Sequence, residues 1–152
     1  MEVLVFEVAG ERYALALAAV REVVRAVAVS RLPGAPAAVQ GVIGVRGALV
    51  AVLDLRARFG LPAKPVDPAE HFVIAHDGAR TVALRADRVA GIERVDPAEV
   101  ADPRAEVPGA PYVSGAARTA EGLVLVHDLA AFLDAGEAAA LDAALAAEGG
   151  AP

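Results

Sequence analysis

The chain has 152 residues, 57% of them apolar but only 4% aromatic, and 14 Lys and Arg against 20 Asp and Glu leave a net charge of −6. That length allows one compact domain with a real core, or two small lobes sharing one. An acidic chain with no run of Lys or Arg offers no basic patch for nucleic acid or an anionic membrane, and a chain without Cys has no disulfide, no Cys-ligated zinc and no thiol catalysis.

The apolar fraction overstates the bulk available for burial, because 38 of the residues are Ala. Val (23) greatly outnumbers Ile (3), and β-branched side chains suit a pleated surface, so the composition leans toward β structure. The opening MEVLVFEVAGER has no basic start and carries Glu inside its apolar run, which does not read as a signal peptide. No stretch of 18 uncharged apolar residues occurs, so no membrane-spanning helix is expected. These observations point to a soluble, cytoplasmic bacterial domain with no direct membrane insertion.

Val3 to Val8 reads as a strand, Gly10-Glu11-Arg12 as a turn, and Tyr13 to Leu17 as the returning strand. Val20 to Val27 fits helix or strand on pattern, and its Val density favours strand. RLPGAPAAVQG is a loop with at most one helical turn after Pro36. A hairpin follows, Val42 to Val45 and Leu49 to Leu55, then a short helix over Leu55 to Leu61 closed by Gly60 and Pro62. Lys64 to Glu70 is Pro-rich and polar, and reads as a linker. His71 to Ala75 and Thr81 to Ala86 form a second hairpin about Asp77-Gly78, with Val89 to Val95 as a further strand. Asp96 to Pro111 reads as a wandering loop with one helical turn at Pro97 to Val100. Tyr112 to Arg118 and Gly122 to Val126 form a third hairpin. Asp128 to Leu145 is the one long helical region, which Gly136 should bend or break.

Part of this pattern occurs twice. Leu49-Val50-Ala51-Val52-Leu53-Asp54-Leu55 returns 74 residues later as Leu123-Val124-Leu125-Val126-His127-Asp128-Leu129. Gly10-x-Arg12 is echoed by Gly78-x-Arg80, and Val20 and Val23 by Val89 and Ile92, at offsets of 68 and 69. Several matches in one order at nearly one offset imply two similar lobes of about five short strands. Strands of that number can curl into a small barrel, which removes exposed edges. The expected fold class is mainly β: two similar five-stranded β-barrel lobes with short helices and a C-terminal helix. Residues 1–145 would form a single domain. Lobe 1 would take about 1–63 plus the C-terminal helix 129–145, lobe 2 about 70–128, and 146–152 would be a disordered tail.

Chemistry has few places to sit. His71 and His76 are five apart on a strand and face opposite ways, and His127 has no third ligand near it, so no metal site is expected. Ser30 and Ser114 lie in no Gly-x-Ser-x-Gly setting, and VQGVIGVRG lacks the Gly-Lys-Ser/Thr of a phosphate cradle. Asp54 and Asp128 close equivalent strands and suit helix capping better than paired acid–base work. A small two-lobed β ligand-binding or enzymatic domain would have to gather Asp54, Asp87, His127 and Asp128 in the cleft between lobes. Glu22 and Arg46 stand among Val residues in the first half. Pattern alone leaves two readings for them: an ion pair shaping a binding patch, or two solvent-facing members of alternating strands.

LVFEVAGERYALALAAVREV, then LPGAPAAVQGVIGVRGALVAVLDLRARFGL and ALRADRVAGIERV, resembles CheW, the adaptor of bacterial chemotaxis, from about Leu4 to Leu145. The family pattern is a Pro, a Gly, an Asn-Leu-Arg-Gly turn and a strand ending Asp-Leu-Arg. Pro36, Gly41, Gly44-Val45-Arg46-Gly47 and Asp54-Leu55-Arg56 match it, with Gly44 in place of the Asn. The resemblance implies two five-stranded barrels around a shared apolar core, and a scaffold without catalysis or cofactor. It implies partners as well: the cytoplasmic domain of a methyl-accepting chemoreceptor, in the groove between lobes, and the regulatory domain of a CheA-type histidine kinase, at the barrel ends. By the same resemblance the partner-binding residues are Arg46, Glu22, Val20, Gly41 and Gly47.

Overall fold

The computed structural model describes residues 1–95, 113–119 and 121–149. Ten strands follow one another: β1 (Glu2–Val8), β2 (Glu11–Ala16), β3 (Val20–Arg25), β4 (Val39–Val45), β5 (Ala48–Leu53), β6 (His71–His76), β7 (Thr81–Ala86), β8 (Arg88–Arg94), β9 (Val113–Thr119) and β10 (Gly122–His127). A short helix α1 (Leu55–Arg58) follows β5, and the C-terminal helix α2 (Ala135–Gly149) closes the described chain. The expected loop from Asp96 to Pro111, with its helical turn, lies outside the described residues.

The strands make two five-stranded sheets. Sheet I has the order β8-β1-β2-β10-β9 and sheet II the order β3-β6-β7-β5-β4. Replacing β1 to β5 by β6 to β10, and the reverse, turns one order into the other, so the repeat seen in the sequence is a repeat of topology. The halves are interlaced, however. Sheet I combines the hairpin β1–β2 with β8, β9 and β10, and sheet II combines β6–β7 with β3, β4 and β5. The expected division at residues 1–63 and 70–128 is therefore not the division between sheets. A symmetric exchange of hairpins leaves both sheets with equivalent strands, which is why a constant sequence offset does not reveal it.

The mainly β class expected from sequence is what the structure has; the closure differs. Among the described residues neither sheet closes into a barrel through a continuous ladder. In sheet II the chain leaving β3 makes one isolated bridge to the far edge, Ser30 with Val42 of β4, through bonds of 2.9 and 2.7 Å.

Burial follows from this curling. Leu4, Phe6, Val8, Tyr13 and Leu15 of sheet I meet Ala51, Leu53, Val73, Val82 and Leu84 of sheet II in the main core, which Leu55, Phe132 and Leu141 complete. The opposite strand faces form two smaller cores: Val3, Val5, Ala14, Val124 and Val126 inside sheet I, and Ile43, Val50, Val52, Phe72 and Ile74 inside sheet II. Central strands buried on both faces read as apolar runs, as β5 does throughout, β1 does over Val3 to Phe6 and β7 does apart from Arg85.

The C-terminal region breaks at 132–134 rather than at Gly136. A 3-10 turn over Leu129–Ala131 ends, and α2 restarts on a capping box in which Asp134 Oδ1 accepts from Glu137 N at 2.7 Å and Glu137 Oε1 accepts from Asp134 N at 3.0 Å. The helix then runs through Gly149, into the stretch expected to be a disordered tail.

Candidate functional site

Strand β3 alternates between half-buried and exposed; a register shift between Val20 and Glu22 leaves Val20 against the main core, while Glu22 and Val24 share the face of the smaller core of sheet II and Arg21, Val23 and Arg25 are exposed. Glu22 is thus not the solvent-facing member of its strand. It shares the inward face with Val, where an unpaired carboxylate would be unfavourable. Its partner comes from the far edge of the sheet. The β4–β5 hairpin turns at Arg46 and Gly47, whose φ values of 51° and 82° are both positive, the geometry of a type I′ turn. This conformation asks for Gly at the second position and strains a side chain at the first, and here Arg accepts it. The β1–β2 hairpin repeats the geometry at Ala9 and Gly10, with φ of 51° and 82°.

From this turn Arg46 donates Nε to Glu22 Oε2 at 3.0 Å and Nη2 to Glu22 Oε1 at 3.2 Å. The fork is bidentate, the arrangement that fixes direction as well as charge. The two hydrogen bonds hold the Glu22 carboxyl below the usual carboxylate range and raise the Arg46 guanidinium above its own. Because β3 and β4 are the two edges of sheet II, the pair ties the sheet across its open seam. Arg46 is nevertheless 79% exposed while Glu22 is 29% exposed. These two bonds use two of the five guanidinium N–H groups. Val23, Val27 and Leu49 are the exposed large apolar residues of the strands and chain around it.

The other three expected residues take different places. Gly47 completes the turn, with open space where a side chain would be. Gly41 lies beneath the Ser30 crossing, where a Cβ would come within 2.1 Å of Ser30 O and 2.8 Å of Val29 Cγ1. Val20 packs against the main core, two residues from Glu22. Glu22, Arg46 and Gly47 are brought together; Gly41 supports the seam from below, and Val20 faces inward.

The polar groups of the alternative cleft do not converge. Asp54 Oδ1 accepts from Ala57 N at 3.2 Å and Asp128 Oδ1 from Ala130 N at 3.1 Å, so both cap the turns that follow them. Asp87 accepts from Ala9 N and from Arg56 Nη2, at 2.8 and 2.7 Å. A cleft of about 440 Å³ between the sheets is lined by His127 and Asp128, with Met1, Leu15, His76 and Asp77, but by neither Asp54 nor Asp87. Both His127 nitrogens are buried without a hydrogen-bond partner, against Tyr13, Phe59 and Phe132, and burial pushes its pKa down to about 4. Among the described residues no three His, Asp or Glu are placed to hold a metal ion.

Sequence reasoning missed two charged groups. Glu70, at the end of the expected linker, is almost fully buried and receives Arg85 Nε at 2.5 Å and Nη2 at 3.1 Å, with Lys64 Nζ at 3.2 Å. Burial pushes the Glu70 carboxyl up, but the bonds and charges from Arg85 and Lys64, with the Asp67 amide, outweigh it and leave the pKa lowered. Arg85 inside the apolar run of β7 was the available signal, since a buried guanidinium needs a partner. Arg12, tied to Glu93 and Thr119, gave none.

The two curled sheets thus carry a surface ion pair at one seam, and the aspartates at their strand ends cap the turns that follow. The family model for the CheW-like domain matches residues 2–137. The chain is 33% identical over 108 residues to the probable chemotaxis protein CheW of Rhizobium etli, covering 70% of this chain and 68% of that protein. It is 24% identical over 143 residues to the chemotaxis protein CheW of Klebsiella aerogenes, covering 93% and 86%. The crystal structure of the scaffolding protein TtCheW from Thermoanaerobacter tengcongensis aligns with a TM-score of 0.79 at 25% identity, over 90% of this chain and 94% of that one. The chain belongs to the CheW-like family, the chemotaxis adaptors.

Proposed function

We propose that this adaptor couples the cytoplasmic tips of methyl-accepting chemoreceptors to the regulatory domain of a CheA-type histidine kinase, in bacterial chemotaxis or a related chemosensory or motility pathway. It works in the cytoplasm, without catalysis or cofactor, and binding energy is its whole mechanism. Among the described residues no helix is long and apolar enough to cross a membrane.

The observation that carries this reading is the Glu22–Arg46 pair. It fixes the β4–β5 turn against β3 and leaves three guanidinium N–H groups for a partner, with exposed Val23 next to Glu22 in the chain and exposed Leu49 in the same hairpin. An interface of ordinary size buries roughly 800 Å² per partner, in which apolar contacts supply affinity and rim charges set orientation. Arg46, Glu22 and Gly47 would meet the partner, while Gly41 and Val20 hold the backbone beneath it.

The test is a pull-down of the purified chain on the regulatory domain of the kinase encoded with it. Saturable binding at micromolar concentration is expected. No binding at about 100 µM, a range where even weak interfaces register, would remove the kinase from the proposal.

A further inference from the structure

Sheet II holds a second charged pair, and unlike Glu22–Arg46 it is shut away from water. Glu70 is 1% exposed and Arg85 5%. On β7 the main core takes Val82, Leu84 and Ala86, so alternation turns Arg85, with Ala83, toward the smaller core of sheet II. Phe72 and Ile74 of β6 lie in that core, and Glu70, one residue before β6, shares their face. Val24, Ala26, Val29 and Val45 pack against the same core from the two sides of the seam. Glu22, on the Val24 face, and the buried pair therefore border one small interior.

The bonds of the buried pair lead to both edges of the seam. Arg85 donates Nε to Glu70 Oε1 at 2.5 Å, and Nη2 to Glu70 Oε2 at 3.1 Å and to Pro65 O at 2.7 Å. Its Nη1 reaches Gln40 Oε1 of β4 at 3.4 Å. Glu70 O accepts from Ala26 N at 3.0 Å, one residue past the end of β3. From Ala26 the chain runs on to Ser30, which bridges Val42 of β4. A closed circuit results, from Ala26 through Glu70, Arg85, Gln40 and Val42 to Ser30 and back along the chain. Glu22 stands on the strand that enters this circuit, and Arg46 on the turn at the far end of β4.

A buried ion pair adds little net stability, because the desolvation of two charges offsets their attraction, and an apolar pair of similar volume often serves as well. What its geometry supplies is direction. The guanidinium fork accepts one placement of the carboxylate, and Lys64 Nζ at 3.2 Å and Asp67 N at 3.3 Å hold Glu70 Oε2 from the other side.

We infer that Arg85 is a positioning residue for the Glu22–Arg46 pair: through Glu70 to the end of β3, and through Gln40 to β4, it sets the spacing of the seam that the pair spans. Its bearing on coupling rests on the function proposed above for that pair; its bearing on the pair itself does not.

The test compares the wild type with Gln40→Leu and with the double variant Glu70→Leu and Arg85→Met, which removes both charges at similar volume. Stability in urea, amide exchange, the titration of the Glu22 carboxyl followed by NMR, and affinity for the regulatory domain of the kinase are measured on each. The double variant should stay folded, with a urea midpoint close to that of the wild type. Its Glu22 carboxyl should titrate in the ordinary carboxylate range rather than below it. The Ser30 and Val42 amides should exchange about tenfold faster and kinase affinity should fall about tenfold, the scale of one lost charge-assisted hydrogen bond. Gln40→Leu, which cuts only the β4 arm, should move Glu22 in the same direction and by less. A folded double variant whose Glu22 still titrates below the ordinary range overturns the inference. So does a double variant that cannot fold, because the pair would then support the sheet as a whole. Full kinase affinity after Glu22 has shifted would sink the bearing of Arg85 on coupling. A wild type that binds no kinase fails the adaptor reading, and the Glu22 titration then decides the role of Arg85 by itself.

Discussion

Gly41 shows how a single missing side chain supports the surface above it. The Ser30–Val42 bridge requires the 29–30 backbone to pass over β4, and a Cβ at 41 would stand 2.1 Å from Ser30 O and 2.9 Å from Ser30 C, backbone atoms that no side-chain rotation can move aside. Gly41→Ala should therefore lower stability by about 2 kcal/mol or more, as overpacking does in a closed site. Chemical denaturation with a probe of Ser30 protection measures both effects together. Wild-type stability with the Ser30 amide still protected would contradict this account of Gly41.

Elements were legible where local chemistry decides them. The apolar runs of β1, β5, β7 and β10 mark the central strands, and Asp54 and Asp128 cap the turns that the repeat predicted for them. Ala9–Gly10 and Arg46–Gly47 share a turn geometry, but the first was expected at Gly10-Glu11-Arg12 and falls one residue earlier, because Glu11 and Arg12 already pair with β1. What was hidden depends on partners far along the chain. Strand β3 pairs with β6 and not with its neighbours in sequence, so the hairpin exchange left no local trace. Glu70 looked like part of a polar linker because its partner, Arg85, lies on a strand 15 residues later. The Glu22–Arg46 pair was readable only as a possibility: alternation along β3 does not say which face Glu22 shares, and the register shift after Val20, invisible in the sequence, puts it with Val24. The break before α2 was misplaced because Gly136 was weighed as a helix breaker and the Asp134–Glu137 capping box was not.

At the scale of the whole molecule, His127 stands at the junction between the sheets, with Tyr13 of β2, Phe59 after α1 and Phe132 around it. Burial lowers its pKa from 6.5 to about 4, so the fold holds it neutral while the unfolded chain takes up a proton below about pH 6.5. Stability is therefore full above 6.5 and falls as pH drops from 6.5 to 4, by about 3 kcal/mol over that window. Urea melts at pH 7 and pH 4.2 should show this loss in the wild type and a much smaller one in His127→Leu. An equal acid loss in both proteins would place the sensitivity elsewhere. From the acid end of that window downward Glu70 adds a second loss of the same sign: its lowered pKa contributes stability that is full above the usual carboxylate range and is lost as the carboxylate paired with Arg85 takes up a proton. The adaptor therefore combines a junction that prefers neutral pH with seams held by ion pairs, and Arg46 is the seam residue most open to a partner. The most direct test is co-sedimentation of receptor signalling domains, kinase and this chain, comparing the wild type with Arg46→Ala after their melting temperatures have been matched. Wild-type protein should carry the kinase into the pellet, and Arg46→Ala, folded and melting within a few degrees of it, should carry at least about tenfold less, the scale of one lost charged hydrogen bond. Equal recovery of kinase by both proteins would contradict the assignment of Arg46 to the coupling surface.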